Sequence, residues 1–222
     1  MPAYKSLTTF DTGNVSIRIA VMGLIDNNVY LISDGAGGTI VVDPAIEAET
    51  IVELAGDALI SAIFVTHNHW DHVGALAKLH KLTDAPVYAS VIDSKMIETG
   101  GSRNLYHVDV AACPVAFKVD DGDEITVGET TWKVMLTPGH TPGSICFLCT
   151  QGTKKGAPVL LSGDTLFYGA TGRTDFPGGI MDDMLRSLRK LAKLSDDILV
   201  LPGHEQLTAI GAERKRVIEF FQ

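Results

Sequence analysis

The chain has 222 residues, 45% hydrophobic and 20% charged, enough for one domain over residues 1–222 with a substantial core. Its net charge of −9, from 27 acidic and 18 basic side chains without a basic run, excludes binding to nucleic-acid phosphates as a main role. No apolar run is long enough to span a bilayer, the N-terminal MPAYKSLTTFDTG has no secretory pattern, and three cysteines make no disulfide framework, so a cytoplasmic protein without membrane contact is expected.

In chain order, VSIRIAVM alternates Ile17, Ile19 and Val21 with Ser16 and Arg18, the pattern of a half-buried strand. NVYLIS and TIVVDP read as two more strands, joined by the glycine-bearing turn Asp34–Gly38. That DGAGG stretch lacks the spacing and the following helix of a phosphate loop, so a plain turn is the reading. AIEAETIVELAG is a helix, SAIFVT a buried strand, and GALAKLHKL a helix with Leu76, Leu79 and Leu82 on one face. APVYAS is a strand, residues 92–120 carry no clear period, and TGGSRN is an exposed loop. TTWKVMLT, SICFLCT and APVLLSG follow as strands. Met181, Met184, Leu185, Leu188 and Leu191 form a helical stripe, DILVL is a strand, and TAIGAERKRVIEFF is a closing helix whose charged run Glu213–Arg216 is its solvated side. Two batches of strands, each mixed with helices, imply a layered α/β fold.

One regularity stands out. AIFVT runs into His67, KVMLT into a PGH ending at His140, PVLLSG into Asp164, and DILVL into a PGH ending at His204. Functional groups in α/β folds collect at the C-terminal ends of strands, where buried strands give way to exposed, anchored loops. His67, His69, His72, His140 and His204, five of the seven histidines, lie in these segments together with Asp71 and Asp164. Imidazole with carboxylate suits Zn, Fe or Mn rather than the all-oxygen sites of Mg or Ca. Seven donors exceed what one tetrahedral ion needs, and two ions about 3.5–4 Å apart would use them all. Cys146 and Cys149 lie three apart on a strand and so point to opposite faces, which is core packing rather than a metal or redox pair. His80, inside a helix, is structural, and His107 is a surface residue.

The motifs THNHWDH, TPGHTPGS, SGDTLF and LPGHE, in that order, resemble the metallo-β-lactamase superfamily over residues 14 to 210. The resemblance implies a four-layer αββα sandwich with a dinuclear centre at one edge. By that likeness His67, His69 and His140 hold one metal, Asp71, His72 and His204 the second, and Asp164 bridges them. Asp43, in VVDP, corresponds to a position that supports the ligands from behind. Trp70, Asp164 in its GDTLF context, and GATGRTDFPGG are similar to the short bacterial glyoxalase II branch, which hydrolyses thioesters such as S-lactoylglutathione. The implied partner is a small glutathione thioester or related ester. The implied nucleophile is a hydroxide shared by two divalent ions, Zn first and Fe or Mn next, with Asp71 also a proton acceptor. Tyr168, Arg173 and Arg103 are the candidate substrate contacts, an arginine pairing with a glutathione carboxylate. Full-length glyoxalase II carries a glutathione-gripping C-terminal helical domain, whereas this chain stops at Gln222, so that domain is expected to be missing. GRTDF also resembles persulfide dioxygenases, which use one iron held by two His and one Asp, and a lactone or ester hydrolase of the same fold is the nearer alternative.

Overall fold

The computed structural model describes residues 4–100, 108–153 and 158–219. β1 (Tyr4–Thr12), β2 (Val15–Met22), β3 (Asn27–Ser33) and β4 (Gly38–Val42) make an antiparallel meander. β5 (Leu59–Phe64), β6 (Val87–Ser90) and β7 (Phe117–Val119) extend this first sheet in parallel, with the strands in simple chain order. Parallel neighbours need crossovers, and helices supply them. α1 (Ala48–Ala55) joins β4 to β5, α2 (Trp70–Val73) and α3 (Leu76–Thr83) join β5 to β6, and α4 (Val91–Glu98) follows β6.

In the second sheet β8 (Glu124–Val127), β9 (Thr130–Leu136), β10 (Ile145–Gln151) and β11 (Val159–Gly163) are antiparallel neighbours. α5 (Met181–Leu191) crosses from β11 to the parallel β12 (Leu199–Pro202), and β13 (Thr208–Ala209) closes the edge. α6 (Ile210–Glu213) then continues with wider winding through Arg214–Ile218.

Three apolar cores define four layers. Leu31, Val41 and Ile63 of the first sheet pack on Ile51, Leu76 and Leu79 of α1 and α3. Ile17, Tyr30 and Phe64 meet Trp132, Phe147 and Leu161 between the sheets. Leu160 and Val200 of the second sheet pack on Met184, Leu188 and Leu191 of α5. This is the αββα sandwich of the metallo-β-lactamase fold. Both sheets are covered on both faces, as buried parallel strands require.

Several sequence expectations need correction. In β2 the expected alternation holds for Ile17 and Ile19, which face the second sheet, against the partly exposed Ser16 and Arg18. Val21, however, is partly exposed too, while Ala20 and Met22 are buried against the helices. Leu82 is exposed at the end of α3, and Met181 is exposed in the first turn of α5, because each helix touches its sheet over a narrower stripe than the period suggests. β1, β7, β8 and α4 had no clear sequence signal. β1 is an edge strand whose largely exposed residues carry no alternation of polarity. The closing segment opens as β13 before any helix forms, and Glu213 is fully buried rather than solvated. Cys146 and Cys149 do fall in different cores, and His80 Nδ1 bonds the Ala85 carbonyl at 2.9 Å. Arg103 and His107 lie outside the described residues.

Phe64 ends β5 just before the first histidine loop. It stacks on Phe147 at 4.5 Å and meets Trp132 edge-on at 6.0 Å. Phe64→Ala is expected to cost about 3–5 kcal/mol, measured by urea unfolding, through the cavity left between the sheets. A loss under about 1 kcal/mol would mean that this core is not what anchors the loop.

Candidate metal centre

The strands dictate where the polar side chains fall. β9, β11 and β12 run in one direction, and the segments leaving their C-terminal ends carry His140, Asp164 and His204. β4 and β5 are parallel in the other sheet, and Asp43, His67 and His69 follow them, with Asp71 and His72 on α2. Backbone bonds lock the two edges together: Ile145 N donates to Thr66 O at 2.9 Å, and Asn28 N to Gly203 O at 2.8 Å. Tyr30 Oη donates to Pro202 O at 2.6 Å.

All seven residues singled out as ligands meet at this junction. His67, His69 and His140 present donor atoms within 4.8 Å of one another, and so do Asp71, His72 and His204. Asp164 lies between the groups. Its Oδ2 is 3.3 Å from His140 Nε2 and 3.6 Å from His204 Nε2, and its Oδ1 is 3.4 Å from His72 Nε2.

The outer faces of the imidazoles decide which nitrogen points inward. His72 Nδ1 lies 3.0 Å from Asp43 Oδ2, His140 Nδ1 2.7 Å from Arg173 O, and His204 Nδ1 3.1 Å from Ile25 O. Those partners only accept, so each Nδ1 carries the proton. Thr66 Oγ1 gives its proton to Asp43 Oδ2 at 2.6 Å and therefore accepts from His67 Nδ1 at 3.0 Å. In the neutral rings Nε2 is then a bare lone pair. The Nε2 atoms of His67, His69, His72 and His140 and Oδ1 of Asp164 are buried without a hydrogen-bond partner. Buried polar atoms are rarely left so. A converging set of orphaned imidazole and carboxylate donors fits divalent cations, and Asp43 supports two of those ligands from behind, one of them through Thr66.

Asn27 and Asp93 were not picked out from the sequence. Asn27, buried at the start of β3, donates to Asp71 Oδ2 at 2.9 Å and fixes that carboxylate. The polar pair Asn27–Asn28 opening an apolar strand was the available signal. Asp93 Oδ2 accepts from Asn68 N at 3.0 Å and Thr141 Oγ1 at 3.1 Å, tying the first histidine loop to the second. Ser90 caps α4 by accepting from Asp93 N, which places Asp93 in that helix's first turn and gives no local sign of its second duty. Close approach also explains Gly203: a Cβ there would sit 2.4 Å from Asp164 Oδ1 and 2.7 Å from His72 Cε1.

Beside these donors opens a cleft of about 610 Å³, walled by Ile25, Trp70, Phe167, Arg173 and Phe176. Arg173 grips Asp175 bidentately at 2.7 and 2.6 Å and lies 4.1 Å over the Phe176 ring. Tyr168 is not on the cleft wall; its ring lies 4.6 Å beneath the Arg216 guanidinium.

Protonation follows the same geometry. Burial pushes His67 well below the ordinary imidazole range and His69 down to about 3, with nearby imidazoles adding to the shift. Burial also opposes charge on His72, but Asp71 and Asp164 outweigh it and hold the ring well above the usual value. His204 is raised in the same way, chiefly by Asp71 and Asp164 against burial. Burial would raise the Asp71 and Asp164 carboxyls, yet His72 and its neighbours hold both well below the carboxylate range.

The family model of the metallo-beta-lactamase superfamily matches residues 22–204. An uncharacterized protein of Aquifex aeolicus is 38% identical, over 89% of this chain and 93% of that protein. Hydroxyacylglutathione hydrolase GloC of Haemophilus influenzae is 32% identical, over 90% of this chain and 96% of its own length. Among solved structures, the B3 metallo-beta-lactamase BLEG-1 superposes with a TM-score of 0.82 at 31% identity, covering 90% of this chain and 96% of that one. TTHA1623, in a di-iron-bound form, gives 0.74 at 30%, covering 88% and 96%. ETHE1 from Myxococcus xanthus gives 0.70 at 28%, covering 95% and 82%. The chain belongs to the metallo-beta-lactamase superfamily, and at that level it is a metal-dependent hydrolase.

Two outcomes follow. His72 and His204 carry raised values, so their charged forms stabilise the metal-free protein below the ordinary imidazole value of 6.5, and that contribution is lost as pH rises through their folded values. A coordinating imidazole must shed that proton, so zinc uptake near pH 7 should release protons. Calorimetry in buffers of different ionisation enthalpy should give apparent enthalpies that vary accordingly; identical enthalpies would contradict it. Asp43→Asn should weaken metal affinity by about 10–100-fold, in competition with a chromophoric chelator, because His72 loses its carboxylate acceptor.

Proposed function

We propose that this chain hydrolyses thioesters of small thiols, glutathione thioesters such as S-lactoylglutathione first among them, with two divalent cations held by the seven donors. The observation that carries the reading is Asp164 standing between two triads of inward-facing donors, each complete enough to hold an ion. His67, His69 and His140 would hold one cation, Asp71, His72 and His204 the other, with Asp164 shared. Bound there, the pair supplies an ionised water as nucleophile and polarises the carbonyl under attack.

The residues of the chain do the rest. Asp71, kept ionised against burial by His72 and His204 and oriented by Asn27, is placed to accept a proton as the nucleophile forms. Ile25, Trp70, Phe167 and Phe176 make apolar walls that shield the reacting group from bulk water. Arg173 stands at the rim, and its fork already holds one carboxylate, that of Asp175. A glutathione carboxylate offers the same two oxygens. Tyr168 contributes through the wall behind it rather than by direct contact. Arg103 stays a candidate contact on the sequence alone. A thiolate leaving group needs little protonation near neutral pH.

Support also comes from the likeness to GloC, named a hydroxyacylglutathione hydrolase, over nearly its whole length. A single-iron dioxygenase would need only two His and one Asp, leaving at least two of the four orphaned Nε2 atoms unexplained.

Protein of measured metal content, offered S-lactoylglutathione, a lactone, a β-lactam and glutathione persulfide, tests the proposal. Thiol release from the thioester without oxygen uptake is expected, and His69→Ala and Asp164→Ala should each lower that rate at least about 1,000-fold, of the order seen when central catalytic groups are removed. Preferential oxygen uptake with the persulfide, or near-native turnover by metal-loaded Asp164→Ala, would overturn it.

A further inference from the structure

Glu213 is the one carboxylate of the closing helical segment that solvent does not reach, and the chemistry described so far does not use it. Its Oε2 accepts from Gly169 N at 2.9 Å and its Oε1 from Thr208 Oγ1 at 2.5 Å. Gly169 follows Asp164 by one short loop, and Thr208 lies just beyond His204 on β13. One buried carboxylate therefore clasps the two segments that leave Asp164 and His204. Burying an ionised group is costly unless it is paired, and an aliphatic side chain would fill the same space at lower cost, so the oxygens are there for their partners.

What Gly169 positions is the cleft wall. The turn Phe167–Ala170 is closed by Phe167 N donating to Ala170 O at 2.9 Å, and Gly169 at its apex has φ of +72°, a conformation open to glycine. Phe167 and Ala170 line the cleft, and the Phe167 ring meets His204 edge-on at 6.0 Å. One turn along the same helix, Arg216 lies 3.6 Å from Glu213 Oε1 and stacks over Tyr168 at 4.6 Å. The helix thus holds the turn at two successive residues: the backbone of Gly169 through Glu213, and the ring of Tyr168 through Arg216.

We infer that Glu213, with Arg216 behind it, is a positioning residue that sets the Phe167–Ala170 wall and through it the binding of the thiol-bearing part of the substrate. Glu213 touches neither the reacting group nor the seven donors, so its effect falls on KM and not on kcat. The inference rests on the thioester reading for its substrate and on the structure alone for the link from helix to wall.

The test uses the metal-loaded full chain as wild type, Glu213→Gln, Glu213→Ala and Arg216→Met, with metal content measured for each. Hydrogen exchange over residues 165–173 is followed together with steady-state hydrolysis of S-lactoylglutathione. In Glu213→Ala the wall should exchange about tenfold faster and KM should rise about tenfold, with kcat within twofold and metal content unchanged. Glu213→Gln, whose amide oxygen still accepts from Gly169 N, should keep KM within about threefold of wild type. Arg216→Met changes a half-exposed side chain and should raise KM about twofold to fivefold with faster exchange; it decides the question if Glu213→Ala does not fold. Wild-type exchange in the folded variants overturns the inference, as does a fall in kcat or metal content with KM unchanged. If wild-type protein leaves the thioester intact, the substrate reading fails, while the exchange comparison still decides the link between helix and wall.

Discussion

The structure depends on one electrostatic constraint: five imidazoles and two carboxylates, taken largely out of water, must face one another. Left uncompensated, such a cluster would be among the most costly features a core of this size could carry. The protein handles the outer half of the problem itself. Four of the five rings have Nδ1 tied to an acceptor supplied by Asp43, Thr66, Arg173 or Ile25, which leaves the Nε2 side to face the centre. The inner half is left open, with orphaned donors on both sides of Asp164. A fold that fixes four of the five outer contacts and leaves inner ones unmet is preorganised for cations.

Buried carboxylates recur as cross-links around that centre. Asp43 binds the segment after β4 to the loop after β5 through Thr66 and His72. Asp93 binds that loop to the one carrying His140. Glu213 binds the loop after Asp164 to the strand after His204. Each carboxylate accepts from two different segments, one or both of them delivering a ligand. The two sheets supply rigid platforms, and these three side chains set the positions of the loops between them.

The centre was legible because its signal is local: an apolar strand followed at once by a histidine or aspartate, repeated at His67, His140, Asp164 and His204. A layered α/β fold was legible wherever apolar periods were long, and its four-layer αββα form came only from the resemblance carried by the histidine motifs. What stayed hidden depends on tertiary context. β1 is an exposed edge strand without alternation, and β7 has only three residues. Asn27, Asp93 and Glu213 look like strand-opening, helix-capping and solvent-facing residues, and only the fold shows that their side chains reach across to other segments. Arg173 was picked out for its side chain, and the structure adds a second duty, its carbonyl orienting His140. Tyr168 sits close to Asp164 in sequence yet faces Arg216 rather than the cleft.

X-ray absorption and anomalous scattering on the purified, metal-loaded protein test the central claim most directly. Two cations per chain are expected, separated by about 3.5–4 Å, with imidazole nitrogens in both coordination shells and a carboxylate shared between them. A single ion bound by His67, His69 and His140 under saturating metal, with Asp164 or His204 turned away from it, would contradict the account.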